Sequence, residues 1–206
     1  MDKILYKRIA MVLIGTIIMS LAVSLSIYAG FGTDPCTCLV LGLAKHFGQS
    51  FGTMLYIVNG VFLVITFFLE RPLIGFGTIM NVFVLGLLVD RFNQLLAFLL
   101  PQTPALWLRI VCMALGLVIL CFTAALYMYP RLGTSPYDSI TLIATRYSHI
   151  EFRWCRILCD VLSVSTGFAF GSTVGVGTVL TAFCLGPFIK HFTDQLKKHV
   201  PLPMEN

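Results

Sequence analysis

Long apolar stretches recur along the whole sequence, and each is long enough to cross a bilayer. A stretch of about 18 or more apolar residues with few charges predicts a transmembrane helix, and such stretches begin, for example, at Met11 and Met54. Because 58% of the residues are hydrophobic and only 11% are charged, we expect no sizeable soluble domain. The sequence therefore predicts an all-α, polytopic helical membrane protein embedded in the lipid bilayer.

Two short motifs each occur twice, about a hundred residues apart. GTDP at residues 32–35 is matched by GTSP at residues 133–136, and GFGT at residues 75–78 is matched by GVGT at residues 175–178. Ordered matches at a nearly constant offset indicate an internal duplication. We therefore expect two tandem membrane repeats, residues 1–101 and 102–206, which together form one integral membrane domain.

Each repeat is predicted to contain four helical segments, three of them long and one short. The predicted segments lie at residues 6–29, 34–47, 51–69 and 78–99 in the first repeat, and at residues 104–129, 135–148, 152–170 and 178–198 in the second. The short segment has about 14 residues, or roughly 21 Å, which is less than the hydrocarbon thickness. It either crosses a thinned bilayer or is re-entrant.

The distribution of Lys and Arg does not separate these two topologies. Eight crossings place the basic residues twelve to two in favour of the cytoplasm, and six crossings with two re-entrant helices place them eleven to three. The first topology makes the repeats parallel, whereas the second makes them inverted, as in many secondary transporters. Both topologies place the N- and C-termini in the cytoplasm.

The charged residues and cysteines argue against several other classes of protein. Lys and Arg lie at helix ends rather than in one stripe, so the formal charge of +5 indicates topology and no nucleic-acid partner is expected. The seven cysteines lie mostly in apolar segments, without a complete ligand set nearby. No hydrolase, metalloprotease, nucleotide-binding or dinucleotide-binding motif occurs. We therefore expect no enzyme activity, no catalytic residue, and no cofactor or metal.

The GTDP and GTSP motifs contain the residues that open a helix after a tight turn. Gly32 and Gly133 permit the break, a hydroxyl or carboxyl group caps the next helix, and the proline fits its first turn. The N–H groups at such a helix start form a polar, anion-friendly end within the membrane. We therefore count four helix-start residues as candidate substrate-binding residues, with a plain structural turn as the alternative: Thr33, Asp34, Thr134 and Ser135.

Other polar residues near helix ends are predicted to have structural roles. Thr78 and Thr178, in the GFGT and GVGT motifs, are predicted to cap the helices that follow, and the glycines of these motifs are predicted to allow close packing. Asp138 is predicted to serve as a favourable charge at the start of the second short helix.

Polar residues inside the apolar third helices are the strongest functional candidates. Asn59 and Asp160 occupy matching positions, and an ionisable residue inside a membrane helix usually marks a functional site and has a partner. Arg156 precedes Asp160 by four residues on the same helical face, so the two are able to form an ion pair. Asp160 either belongs to a solute site or is one partner of a structural ion pair, and the sequence leaves both alternatives open. Asn81, in the fourth helix, is a further candidate.

Together these motifs resemble the YczE/YyaS/YitT family of bacterial integral membrane proteins. The resemblance rests on GTDP, on the third helix from Gly52 to Asn59, on ERPxxGxGTxxNxxxxGxxxD at residues 70–90 and on GxxxGxGTxxxAxxxGP at residues 171–187. The chain resembles the YczE branch in particular, so no carboxy-terminal soluble domain is expected. The resemblance implies a multi-pass plasma-membrane protein, often regarded as a transporter, and it supplies no catalytic residue.

Duplicated helices, broken short segments and polar groups within the membrane predict a small-solute transporter or permease with a site near the midplane. Asp160 is predicted to hold a cation or a proton, and Asn59 is predicted to donate or accept a hydrogen bond. The alternative is a non-transporting scaffold, or an accessory or substrate-binding subunit that acts with a partner protein. The sequence leaves open whether the chain forms a homo-oligomer.

Overall fold

The described residues form a bundle of eight principal helices joined by short turns. The computed structural model describes residues 2–200 and residue 202; residues 1, 201 and 203–206, which belong to the predicted repeats, lie outside the described residues. The helices are α1 Asp2–Ala29, α2 Pro35–Phe47, α3 Phe51–Leu69, α4 Phe76–Leu99, α5 Leu106–Met128, α6 Pro136–Ser148, α7 Phe152–Ala169 and α8 Val176–His199. The described residues contain no strand, so the all-α prediction is confirmed.

Two irregular pieces accompany α4. A 3₁₀ turn, Arg71–Leu73, precedes it, and a π-helical segment, Asn81–Leu85, interrupts it. The π segment begins at Asn81, one of the candidate residues, and π-bulges are frequent at functional sites.

Five of the described helices are long and apolar enough to cross a membrane. They are Lys3–Ala29 within α1, together with the full lengths of α3, α4, α5 and α8. α7 is not among these five, and it contains Arg153, Arg156 and Asp160. α2 and α6 have 13 residues each, or about 20 Å, so they are too short to cross a full hydrocarbon layer. The chain is a polytopic helical membrane protein.

The GTDP and GTSP motifs start the two short helices as predicted. Asp34 accepts a hydrogen bond from the backbone nitrogen of Thr37 at 3.1 Å, and the Ser135 hydroxyl accepts one from the backbone nitrogen of Asp138 at 3.1 Å. A proline is the first residue of each helix. These caps satisfy backbone N–H groups that a helix start leaves free.

The helices after GFGT and GVGT begin at other residues than those predicted. Gly75 and Gly175 occupy the N-cap positions of α4 and α8. The Thr78 hydroxyl accepts a hydrogen bond from the Gly75 nitrogen at 3.1 Å, whereas the Thr178 hydroxyl has no hydrogen-bond partner in the described part of the chain. Thr78 therefore caps α4 as predicted, from within the first turn, whereas the predicted cap by Thr178 does not form among the described residues. Both helices begin two residues before the threonine.

α1 and α5 pack against each other along most of their length and run in opposite directions. Gly15, in the middle of α1, lies against Tyr127 at the end of α5. Arg109, near the start of α5, donates from Nε to the carbonyl of Ala29, at the end of α1, at 2.8 Å. An eight-crossing topology would make these two helices parallel, which does not agree with their antiparallel packing.

The start of α1 and the end of α8 lie at the same end of the bundle. The Tyr129 hydroxyl, just after α5, donates to the carbonyl of Val200, just after α8, at 2.9 Å. Because α1 is antiparallel to α5, its first turns also extend beyond that end of α5. The placement of this end in the cytoplasm stays a prediction.

Segments from the two halves of the chain are interlocked. The Gly177 nitrogen donates to the carbonyl of Phe31 at 2.9 Å, and the Gly77 nitrogen donates to the carbonyl of Leu132 at 2.7 Å, so each GxGT motif contacts the turn before the short helix of the other half. Each short helix also packs against a long helix of the other half of the chain: α2 packs on α7, and α6 packs on α3. Both halves therefore border the centre of the bundle.

Candidate functional site

A cavity of about 450 Å³ lies at the centre of the bundle, and all eight helices contribute to its lining. Much of its wall is apolar, as the following residues illustrate: Met19, Val23, Leu55, Leu85, Leu120 and Leu185. Small-molecule sites in proteins have this size and combine mainly apolar walls with a few convergent polar groups. The polar groups therefore decide which ligand such a cavity is able to hold.

The cavity brings together seven of the eight candidate residues from the sequence: Asp34, Asn59, Asn81, Thr134, Ser135, Arg156 and Asp160. The eighth, Thr33, is not among the lining residues. Its side chain is 3% exposed, and its hydroxyl has no hydrogen-bond partner within the described residues. The structure does not bring Thr33 into the site, because the residue that caps α2 and lines the cavity is its neighbour Asp34.

Arg156 joins two carboxylates in the cavity wall. Its Nη1 pairs with Asp138 Oδ1, and its Nε pairs with Asp160 Oδ1 at 3.2 Å, which confirms the predicted pair within α7. The three side chains are 31%, 23% and 19% exposed, in the order Arg156, Asp138 and Asp160. A guanidinium has several N–H donors in a fixed planar arrangement, so one Arg holds both carboxylates in defined positions.

Two hydroxyl groups complete this network. Tyr137 donates to Asp160 Oδ1 at 2.7 Å, and Ser135 donates to Asp138 Oδ2 at 2.7 Å. Each carboxylate therefore accepts hydrogen bonds from the guanidinium and from one hydroxyl. The role predicted for Asp138, a favourable charge at a helix start, is incomplete, because its side chain also forms the ion pair with Arg156.

An amide pair lies in the part of the wall that the first half of the chain supplies. Asn59 Nδ2 donates to Asn81 Oδ1 at 3.4 Å, and the two side chains are 1% and 7% exposed. Asn59 occupies the position in α3 that corresponds to Asp160 in α7. This part of the wall is therefore polar but uncharged.

Asp34 is the third carboxylate of the cavity. Its described hydrogen bond comes from Thr37 of its own helix, and it forms no ion pair with any described residue. The Thr134 hydroxyl, at the start of the other short helix, shares a hydrogen bond with the Ser139 hydroxyl at 2.6 Å. The start of α2 thus places a carboxyl group in the cavity wall, and the start of α6 places hydroxyl groups there.

The cavity is tightly packed on one side and loosely packed on the other. On the tightly packed side α3 packs directly on α4: a Cβ added to Gly86 would lie 3.1 Å from the carbonyl oxygen of Gly52, whose nitrogen donates to Asp90 at 2.9 Å. On the other side α7 and α8 lack a comparable contact, and Gly186, which lines the cavity, has nothing within 4 Å of an added Cβ. The wall of the cavity formed by α7 and α8 is therefore less tightly packed than the wall formed by α3 and α4.

A smaller cavity of about 200 Å³ adjoins the central one. The two share four lining residues, Met128, Thr134, Ser135 and Asp138, and the smaller cavity also reaches Arg131. The smaller cavity therefore extends the space beside the Arg156 network toward the turn after α5.

Three lining residues that the sequence did not single out for the site are Tyr127, Tyr137 and Asp138. Tyr137 and Asp138 directly follow the GTSP motif, so the predicted polar helix start was the signal that pointed to them. Tyr127 lies within an apolar stretch of α5 and gave no such signal. Its side chain is 3% exposed, and its hydroxyl has no hydrogen-bond partner among the described residues.

The cysteines of the chain are all unpaired. Cys36 lines the cavity, Cys38 is buried and donates to the Ser172 hydroxyl at 3.4 Å, and no disulfide joins the seven. In the described part of the chain, no three His, Cys, Asp or Glu side chains are placed to hold a metal ion.

Comparison with known sequences identifies relatives but no established activity. Residues 6–194 match DUF6198, a family of unknown function. The chain is 29% identical over 190 residues to the uncharacterized protein YyaS of Bacillus subtilis, covering 90% of this chain and 92% of YyaS. It is 27% identical over 203 residues to an uncharacterized protein of Haemophilus influenzae, covering 97% and 89%, and 26% identical over 182 residues to the uncharacterized membrane protein YczE of Bacillus subtilis, covering 88% and 83%. No solved structure matches.

Proposed function

Since the chain belongs to DUF6198, a family of unknown function, we propose from its central cavity that it is a small-solute transporter or permease. The observation that carries the proposal is the combination of an apolar cavity of about 450 Å³ with the Arg156, Asp138 and Asp160 network in its wall. Ionisable residues inside membrane helix bundles are rare, and they mark pathways for substrates, ions or protons.

The transporter is proposed to consist of two inverted repeats, residues 1–101 and 102–206. Each repeat has three crossing helices and one short re-entrant helix. The antiparallel packing of α1 and α5 supports this arrangement, as do the reciprocal hydrogen bonds between the GxGT motifs and the turns of the opposite half. Transporters built from inverted repeats place their solute site at the repeat interface, beside broken helices.

Alternating access is proposed to use the two seams beside the cavity. The seam between α3 and α4 is closed by the contact of Gly52 with Gly86, whereas the seam between α7 and α8 is loosely packed at Gly186. In the proposed cycle α7 closes on α8 while α3 separates from α4, so that the cavity opens to the other membrane face.

The polar groups are proposed to have two separate roles, coupling to an ion or proton and binding of the solute. Asp160 exchanges its bonds with Arg156 and Tyr137 for a coupling proton or cation, and the Asn59 and Asn81 amides bind polar groups of the solute. The helix starts at Asp34 and at Thr134 and Ser135 form polar ends of the path, and the adjoining cavity supports a route past Ser135.

The protein is proposed to lie in the plasma membrane with the start of α1 and the end of α8 in the cytoplasm. The alternative role, a scaffold or an accessory subunit, requires a partner protein. Co-purification of a stoichiometric second protein, without solute binding by the isolated chain, would support that alternative. Homo-oligomer formation is separate from both and is measured by the mass of the purified protein.

The first test is the thermal stability of the purified, detergent-solubilised protein in the presence of amino acids, small anions, cations and nucleobase-like solutes. A ligand at about a hundred times its Kd stabilises a single-site binder by roughly 2.7 kcal/mol. We expect a solute-specific shift that disappears in Asp160→Asn and persists in Asp194→Asn, a change at an exposed carboxylate outside the cavity. If no solute shifts the transition and Asp160→Asn is itself less stable, a structural ion pair and a scaffold role are favoured.

Uptake into proteoliposomes then separates transport from binding. The stabilising solute is expected to accumulate when a proton or cation gradient is imposed, and Asp160→Asn is expected to abolish accumulation. Binding without uptake under any gradient would support the substrate-binding subunit.

A further inference from the structure

The charges that line the cavity are not balanced. Of the described residues that line it, Asp34, Asp138 and Asp160 carry carboxylates, and Arg156 carries the one cationic side chain. Arg156 forms its ion pairs with Asp138 and Asp160, so Asp34 lines the cavity without an ion pair to any described residue. A carboxylate at membrane depth is costly unless a cation or a proton accompanies it.

The capping role of Asp34 does not account for its charge. Ser135 occupies the matching position in the second half and caps α6 by the same hydrogen bond, at the same distance of 3.1 Å that Asp34 has in α2. Ser, Asp and Asn are about equally good N-caps. An uncharged residue would therefore start α2 equally well, and the carboxylate has to have another role.

Tyr127 adds a polar group to the cavity wall, and its hydroxyl borders Gly77 of α4. It lines the cavity, its side chain is 97% buried (3% exposed), and its hydroxyl has no hydrogen-bond partner among the described residues. Such orphan hydroxyls are uncommon in native proteins, because an unpaired buried polar group is destabilising. Tyr rings also attract cations to their faces, and Arg156 already lies 5.1 Å from the centre of the Tyr137 ring in this wall.

The size and lining of the cavity favour an organic cation over a bare metal ion. A cavity of about 450 Å³ is much larger than an ion, and its walls include Met19, Val23 and Leu120. No cluster of three or more acidic, His or Cys side chains within the described residues is arranged to coordinate a metal. An apolar body would fill the space between these walls, with its charged group at Asp34.

We propose that the cavity takes an organic monocation with an apolar body, an amine or a guanidine, and that Asp34 is the specificity-determining residue that binds its cationic group. This inference rests on the proposed solute-binding function and names the chemical class of the solute. Asp138 and Asp160 already share Arg156, so the ligand is oriented with its charge toward α2.

The test uses three probes that share one phenylethyl body and differ in charge: phenethylammonium, 2-phenylethanol and 3-phenylpropionate. Each is titrated against the purified full-length protein in detergent at constant ionic strength, and the melting temperature is followed. We expect phenethylammonium to raise the melting temperature in a saturable manner and the neutral and anionic probes to leave it unchanged. Because the comparison uses the wild-type chain, it does not depend on the folding of any variant.

Two variants then test whether Asp34 binds the cationic group of the probe. Asp34→Asn and Asp34→Ser both retain an N-cap for α2, so the melting temperature without probe is expected to stay close to that of the wild type. Loss of a charge-assisted hydrogen bond is expected to weaken phenethylammonium binding by about tenfold to a hundredfold. Asp194→Asn, which removes an exposed carboxylate paired with Lys197, is expected to leave binding unchanged.

The outcomes separate this inference from the proposed function. Stabilisation by 3-phenylpropionate or 2-phenylethanol instead of the cation would overturn the inference and leave solute binding in place. Unchanged phenethylammonium affinity in both Asp34 variants would overturn the assignment to Asp34. If neither these probes nor any solute of the wider library stabilises the protein, the solute-binding function fails together with the inference.

Discussion

Arg156 on α7 pairs with Asp138 on α6, a carboxylate 18 residues earlier in the chain. The same guanidinium also binds Asp160 of its own helix. This charged network occurs in the second half of the chain alone. The positions of the first half that correspond to Arg156, Asp138 and Asp160 contain, in the same order, Leu55, Thr37 and Asn59.

Replacing Arg156 alone is expected to be more damaging than replacing the whole network. Arg156→Leu leaves two carboxylates without a cation, and we expect a loss of about 2 kcal/mol, less than for a fully buried pair because these groups are partly exposed. Adding Asp138→Thr and Asp160→Asn, which copies the first half of the chain, is expected to restore most of that stability. Thermal unfolding of the single and triple variants in detergent measures the difference.

The matched control is the exposed ion pair between Lys197 and Asp194, whose side chains are 53% and 52% exposed. Lys197→Leu is expected to cost less than about 1 kcal/mol, as is usual for surface pairs. A triple variant that is less stable than Arg156→Leu would contradict the explanation by unpaired charge.

Gly32 is expected to tolerate no side chain. Its φ angle is 94°, and an added Cβ would lie 2.7 Å from the backbone nitrogen of Gly175 and even closer to the Thr178 hydroxyl. Gly32→Ala combines left-handed strain with a steric clash, so we expect a loss of about 2–4 kcal/mol in unfolding free energy.

A substitution at Gly48 separates the effect of backbone strain from the effect of a steric clash. Its φ angle is 64°, but nothing lies within 4 Å of an added Cβ. Gly48→Ala is therefore expected to cost about 1 kcal/mol from strain alone. Equal losses in Gly32→Ala and Gly48→Ala would show that the contact between the two halves does not restrict Gly32.

The two seams beside the cavity are expected to respond differently to the same substitution. Gly86→Leu places a side chain against Gly52 and is expected to destabilise the protein by about 1–3 kcal/mol through overpacking. Gly186→Leu meets open space and is expected to leave the melting temperature nearly unchanged. If α7 closes on α8 during transport, Gly186→Leu is expected to abolish solute uptake while the protein stays as stable as the wild type.

Uptake and binding are measured on the same preparations of both variants. Wild-type uptake by Gly186→Leu would rule out closure of this seam as a step of transport. Loss of both binding and stability in Gly186→Leu would show that the loosely packed side is tightly packed in the membrane.

Cross-linking tests the relative direction of α1 and α5. An added Cβ at Gly116 would lie 2.7 Å from the Ser26 hydroxyl, so the pair Ser26→Cys and Gly116→Cys is expected to form a disulfide on oxidation when the seven native cysteines are replaced. The pair Ser26→Cys and Tyr127→Cys joins positions that correspond in the two halves, and it is expected to stay reduced. Cross-linking of the second pair instead of the first would indicate parallel repeats.

Local sequence signals predicted most helix limits. The predicted and observed limits of α3 agree, and both short helices begin at their predicted Gly-x-x-Pro turns. The sequence predicts the start of α1 at residue 6, whereas the helix begins at Asp2, because it continues through the charged first turn, outside the apolar pattern. The family resemblance carried by the same motifs is confirmed by the similarity to YyaS and YczE.

The sequence by itself determined the membrane class, most helix limits and the pair of Arg156 with Asp160, because apolar length, caps and contacts four residues apart are local properties. The tertiary structure alone decided that α5 runs against α1, that Asp138 joins Arg156 and that one side of the cavity is loosely packed. These features depend on packing between helices that are distant in the chain. Local propensity does not specify that packing, since the same helices could be assembled in either relative direction.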